Sequence, residues 1–140
     1  MILANIAFPW LWPHWRIALL LLSACMLAES LVVRPLASVS YRRALAATAL
    51  VNVLSTLAGW PMRTLTEWLV RDYFGRPLRY AALYIFPVLY LLTVLIEWPL
   101  FGRFLNLRLN RAFVISVAAN STSYLLLLIS GSIPRFIDIE

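Results

Sequence analysis

The chain contains no lysine, one cysteine and one histidine among its 140 residues, and only six of them are acidic. Each shortage closes off a class of chemistry. A lone cysteine, Cys25, cannot make an internal disulfide, and one cysteine with one histidine cannot build a structural zinc site. No Gly-rich phosphate loop, no H-E-x-x-H helix and no serine with a base beside it occurs in the sequence. The residues therefore predict a protein without enzymatic activity, with no cofactor and no metal.

Charge of either sign is also scarce. Charged residues make up 13% of the chain and hydrophobic ones 63%, and the mean hydropathy is +0.84. A soluble domain carries about 45–50% apolar and about 25% charged residues. With so few polar residues, a water-soluble fold of this size would have too little to cover its outside. A lipid bilayer is the solvent that the composition matches. All twelve basic residues are arginine, and the formal net charge is +6. Such a balance would suggest nucleic acid in a soluble domain. Here the arginines stand at the ends of apolar runs, where they snorkel to headgroups, so lipid and not nucleic acid is the expected partner.

Four apolar runs follow one another in a single domain spanning 1–140. Residues 1–15 hold Trp10, Trp12, Trp15, Pro9, Pro13 and His14. The tryptophans suit a membrane interface, and the prolines discourage a regular helix, so an interfacial or re-entrant entry segment is expected. His14 is read as an interfacial side chain. The first span is expected over 16–33, closed by Arg34 and Pro35, and the second over 44–60, stopped by Gly59 and Pro61. In 62–74, apolar residues recur at helical spacing, and Arg63, Glu67 and Arg71 stand four apart. That pattern predicts an amphipathic helix lying in the interface. The third span is expected from 78 or 80 to 100, kinked at Pro87, and the fourth over 112–129, with Gly131 and Pro134 beyond it. A short polar tail covers 135–140.

The runs repeat. With an offset of 68 positions, Glu29 falls on Glu97, Arg43 on Arg111, Ala44 on Ala112, Asn52 on Asn120 and Ser55 on Ser123. Eight of the 39 pairs between 21–59 and 89–127 are identical. Leucine-rich helices share residues easily, so the weight lies in the four polar matches, which are costly in lipid. The fold expected is an all-α membrane protein of four transmembrane helices. They form two tandem hairpins (a parallel repeat, about 16–60 and 78–130) with the interfacial helix between them. A pseudo-twofold axis along the membrane normal would relate the halves.

The matched polar residues are the candidate site. Glu29 and Glu97 lie near the ends of spans one and three, and intramembrane carboxyl groups are functional candidates by default. Arg43 and Arg111 open the next helices at similar depth. The sequence therefore suggests Glu29–Arg43 and Glu97–Arg111 ion pairs that clamp each hairpin. Asn52 and Asn120 sit near mid-span with Ser55 and Ser123 one turn on, as interhelical hydrogen-bonding groups. A sharper reading brings both carboxyls and both amides to the axis as a small polar or ion site.

Two local patterns are read down. Leu22-Ser23-Ala24-Cys25 resembles a lipoprotein cleavage box, but the apolar stretch before it is too short and a basic leader is missing, so Cys25 is expected to be a small buried residue. Asn120-Ser121-Thr122 fits N-x-[ST], and its depth in a span excludes glycosylation.

Two functions fit this pattern. One is a non-enzymatic accessory or assembly subunit of a larger membrane complex. The other is a small homo-oligomeric transporter or channel using Glu29, Glu97, Asn52 and Asn120 as a proton, cation or solute site. In size, span count and membrane-embedded Glu the chain resembles the small multidrug resistance transporters, with the difference that its Glu stands near a helix end and occurs twice. Partners are expected to be the bilayer and other membrane subunits or further copies of the chain. The expected location is the bacterial cytoplasmic membrane. Arginines divide evenly between the two sides, six in 34–43 and 101–111 and six elsewhere. The two short loops lack acidic residues and are assigned to the cytoplasm.

Overall fold

The structure, a computed structural model, describes residues 15–69 and 78–129. These form four α-helices: α1 (Trp15–Ala37), α2 (Tyr41–Leu69), α3 (Leu78–Leu105) and α4 (Leu109–Ile129). Among the described residues there is no strand. The entry segment with Trp10, Trp12 and His14, the 70–77 connection and the tail from 130 lie outside the described residues.

Helix boundaries depart from the expected spans in a consistent direction: the helices are longer. Pro35 does not stop α1, which continues to Ala37. Gly59 and Pro61 do not stop α2 either. Residues 62–69 continue that helix rather than form a separate interfacial one. Proline's fixed φ is helical, so it removes one hydrogen bond without forcing the chain to turn. The third helix likewise runs through Pro87 and Pro99 to Leu105, five residues past the expected end at 100.

What ends α1 and α3 is a cap, not a breaker. Ser38 and Asn106 adopt positive φ, 56° and 55°. After Ser38, the Val39 N–H reaches back to the Arg34 carbonyl at 3.3 Å, and Ser38 N–H bonds the Pro35 carbonyl at 3.2 Å. The second turn copies the first: Leu107 N–H bonds the Gly102 carbonyl at 2.9 Å. This is the Schellman pattern, in which a left-handed residue lets the chain cover the orphan carbonyls of a helix end. Its usual apolar contact is present too, since Val39 and Leu107 both pack on the core. Three residues later a new helix starts. The Ser40 side chain receives the Arg43 N–H at 3.4 Å, as an N-cap would.

Tight turns make each helix pair an antiparallel hairpin. In the resulting four-helix bundle α1 packs on α2 and α4, and α3 packs on α2 and α4. Near the two turns the interior is apolar. Val33, Ala37, Ala44, Ala47, Val51, Phe101, Leu105, Ala112, Ile115 and Ala119 form one buried cluster. Its alanines let the helices approach closely.

Deeper in, the polarity of the bundle inverts. Glu29, Glu97, Asn52, Asn120, Ser55 and Ser123 are fully buried, while Leu20 is 72% exposed and Ile129 78%. Leu31, Leu57, Leu91 and Leu125 also point outward. Two helical stretches, Leu19–Ala37 and Pro87–Leu105, are long and apolar enough to cross a membrane.

Candidate functional site

Each helix contributes to one polar centre. Glu29 comes from α1, Asn52 and Ser55 from α2, Glu97 from α3, and Asn120 and Ser123 from α4. Asparagine and serine stand three apart on their helices, so both face the same side. Asn52 Nδ2 donates to Glu29 Oε2 at 2.9 Å, and Asn120 Nδ2 donates to Glu97 Oε2 at 2.7 Å. These bonds join the two helices of one hairpin. The serines cross over: Ser123 Oγ donates to Glu29 Oε1 at 2.5 Å, and Ser55 Oγ donates to Glu97 Oε1 at 2.9 Å. Every carboxyl therefore receives its amide from its own hairpin and its hydroxyl from the other. Hydrogen bonds to a carboxylate are among the stronger ones, and a buried carboxyl without them would be costly.

The second hydrogen of each amide is also used. Asn52 Nδ2 bonds the Thr48 carbonyl at 2.8 Å, and Asn120 Nδ2 bonds the Ser116 carbonyl at 2.9 Å. That fixes which way each amide lies. It leaves Asn52 Oδ1 and Asn120 Oδ1 buried with no hydrogen-bond partner, together with Thr48 Oγ1 and Thr93 Oγ1. Thr48, Thr93 and Ser116 are buried polar residues that the sequence reading passed over. Thr48 and Ser116 were within reach, because the same offset of 68 relates them and each stands one turn before its asparagine.

The arginines do not clamp their own hairpins, as the sequence suggested they would. Arg111 opens α4 and donates to the first turn, from Nε to the Leu36 carbonyl at 2.8 Å and from Nη2 to Ser38 Oγ at 2.9 Å. Arg43 opens α2 and donates from Nη2 to the Leu105 carbonyl at 3.4 Å. Both side chains are exposed at the bundle end and reach across to the other hairpin's turn. The cause is position: a residue at the third place of a helix lies beside the neighbouring cap, where helix-end carbonyls need donors.

Outside the centre lies one apolar groove of about 550 Å³ between α3 and α4, lined by Pro87, Tyr90, Leu91, Ser121, Tyr124 and Leu125. Within it Tyr90 and Ser121 share a hydrogen bond of 2.9 Å, and the rings of Tyr90 and Tyr124 meet edge-on at 6.0 Å. Cys25 is free and buried one turn before Glu29. Among the described residues no group of three or more His, Cys, Asp and Glu is placed to hold a metal.

No family model matches the chain. No curated protein and no solved structure matches it.

Proposed function

We propose that the chain is a small integral membrane protein of four spanning helices, acting without enzymatic activity as an accessory or assembly subunit of a larger membrane complex. Polarity carries the membrane part of this reading. Leucines cover the outside, and carboxyl, amide and hydroxyl groups fill the middle, which is the reverse of a soluble bundle and suits lipid.

The two hairpins are read as a tandem repeat about a pseudo-twofold axis along the membrane normal. The offset of 68 residues relates the two amide–carboxyl bonds, the two serine–carboxyl bonds, the two left-handed residues and both turn hydrogen bonds from Val39 and Leu107. Both turns share one end of the bundle with Arg34, Arg42, Arg43, Arg103, Arg108 and Arg111, all exposed, and no acidic residue lies in 34–43 or 101–111. This end is assigned to the cytoplasmic side of a bacterial inner membrane.

The observation that favours an accessory role is the reciprocal bonding of Glu29 and Glu97. Each carboxyl is fully buried and ties the two hairpins together. Polar groups spent on internal cohesion leave the apolar exterior as the surface for contact, and such a surface suits neighbouring membrane subunits or further copies. The test is to isolate the tagged chain from its own membranes in mild detergent. Migration in a stoichiometric complex with other integral subunits, lost when exposed Leu31, Leu57 and Leu125 are replaced by Ala, is expected. Recovery as a lone species that transports ions in vesicles would overturn it in favour of the second reading.

That second reading is a small transporter or channel with Glu29, Glu97, Asn52 and Asn120 at its centre. The unpartnered amide oxygens of Asn52 and Asn120 favour it.

A further inference from the structure

The buried oxygen atoms of the polar centre do not balance. Among the described residues four buried side-chain atoms lack a hydrogen-bond partner, and all four are oxygens: Asn52 Oδ1, Asn120 Oδ1, Thr48 Oγ1 and Thr93 Oγ1. Each belongs to an asparagine that holds a carboxyl or to a threonine one turn from a residue of the centre. The two amides hold Glu29 and Glu97 through their nitrogens. Thr48 stands one turn before Asn52, and Thr93 one turn before Glu97. Turning an amide over would not cure the deficit, because both hydrogens of each Nδ2 already have acceptors, a carboxyl and a backbone carbonyl. Native interiors leave few such atoms unpaired, and a specific set of them calls for an occupant.

The occupant's chemistry follows from the set. The two amide oxygens are acceptors, so what satisfies them must bring positive charge or hydrogens. Arg43 and Arg111 donate to the turns and make no bond to the amide oxygens. Carboxylates, amide carbonyls and hydroxyls are hard oxygen ligands, which suit Na⁺, Ca²⁺ and Mg²⁺ and not the softer transition metals.

We propose that the four helices bind one hard cation through oxygen alone, with the carboxyls of Glu29 and Glu97 and the Oδ1 atoms of Asn52 and Asn120 as its ligands. This rests on the membrane-embedded reading of the bundle and is independent of whether the chain has partner subunits. Because the ligands come from both hairpins, the cation is a third link between them, beside the serine bonds. It also explains why carboxyls, rather than a cheaper pair of glutamines, occupy these two positions.

The experiment uses the purified full-length chain in detergent, exchanged into choline chloride with chelator. Thermal unfolding is followed while NaCl, KCl, CaCl₂ or MgCl₂ is titrated at constant ionic strength, and binding is measured with ²²Na⁺ or ⁴⁵Ca²⁺. One ion is expected to raise the midpoint saturably, with one bound per chain. The ion that does so separates a monovalent from a divalent site. Glu97→Gln should weaken that binding at least tenfold, and Tyr90→Phe, in the outer groove, should leave it unchanged. If Glu97→Gln does not fold, the isotope measurement on the natural chain decides. Absence of saturable binding by any of the four ions would overturn the proposal, leaving the oxygens to buried water. So would a midpoint that responds to pH alone, or Glu97→Gln binding as tightly as the natural chain. A chain that binds the ion yet purifies with partners satisfies both proposals, and a chain that binds no ion yet purifies with partners refutes only the cation site.

Discussion

Glu29 and Ser123, 94 positions apart in the chain, meet across the bundle in a hydrogen bond of 2.5 Å. The counterpart joins Glu97 to Ser55 at 2.9 Å. These two bonds hold the hairpins to each other at the depth where the bundle is most polar. Ser55→Ala and Ser123→Ala should each lower stability by roughly 0.6–2 kcal/mol, the range for hydrogen bonds between helices in lipid. Because the two sites play equivalent parts, their effects should be similar. Ser121→Ala removes a hydroxyl on the exposed groove and should cost less. Melting temperatures in one detergent compare the three, and an equal loss from Ser121→Ala would remove the special role given to the crossing serines.

The arginines at the turns should differ from each other. Arg111 makes two bonds to the first turn, at 2.8 and 2.9 Å, and Arg43 makes one of 3.4 Å to the second. Arg111→Ala should therefore cost about 1 kcal/mol and Arg43→Ala less than about 0.5, as for an exposed side chain with weak contacts. A double-mutant cycle between Glu29 and Arg43 should show no coupling beyond about 0.3–0.5 kcal/mol, the level seen for independent sites. A coupling well above that would restore the ion-pair clamp.

Much of the bundle was legible because of where polar residues are rare. Four apolar runs mark the helices, and the match of Glu29, Asn52 and Ser55 with Glu97, Asn120 and Ser123 marks six residues that are buried together in the bundle. Pairing was harder to read. The offset implies that Ser55 and Ser123 are equivalent, yet it does not say whether each serves its own hairpin or the other one. That choice is made by the ring order of the helices, in which α1 meets α4 and α2 meets α3. Helix ends were misjudged for a local reason. Pro35 and Pro61 look like breakers, but both helices run through them, and the turns are made by Ser38 and Asn106, neither of which is glycine. Arg43 and Arg111 were assigned to the carboxyls by depth alone. Unread in the sequence was the cap beside them, whose carbonyls compete for the same donors.

The left-handed residues offer a test of that cap. An L-residue at positive φ carries a cost that glycine avoids, and asparagine tolerates the region better than serine. Replacing Asn106 by Gly should leave stability within about 0.5 kcal/mol or raise it slightly. Ser38→Gly should gain more from the backbone, about 1 kcal/mol, but lose the side-chain acceptor that Arg111 uses. The net change at Ser38 should be near zero in the natural chain and favourable in an Arg111→Ala background. Unfolding midpoints of the four variants would show this sign change, and a Ser38→Gly loss that persists without Arg111 would mean that the turn depends on the serine for something else.

Gly102 gives the sharpest test of packing between α3 and α4. A Cβ added there would sit 3.6 Å from Ala112 Cβ and 3.7 Å from both the Leu107 carbonyl oxygen and Leu109 Cδ2, all ordinary contact distances. The backbone bond that Gly102 makes runs through its carbonyl to Leu107 N–H, which alanine keeps. Gly102→Ala should therefore stabilise the helix by about 0.5–1 kcal/mol, the propensity difference between the two residues. Gly102→Leu should destabilise it by about 1–3 kcal/mol, because its outer atoms must enter space already filled by Ala112 and Leu109. A loss of stability already at alanine would mean that the two helices lie closer at this turn than the distances above allow.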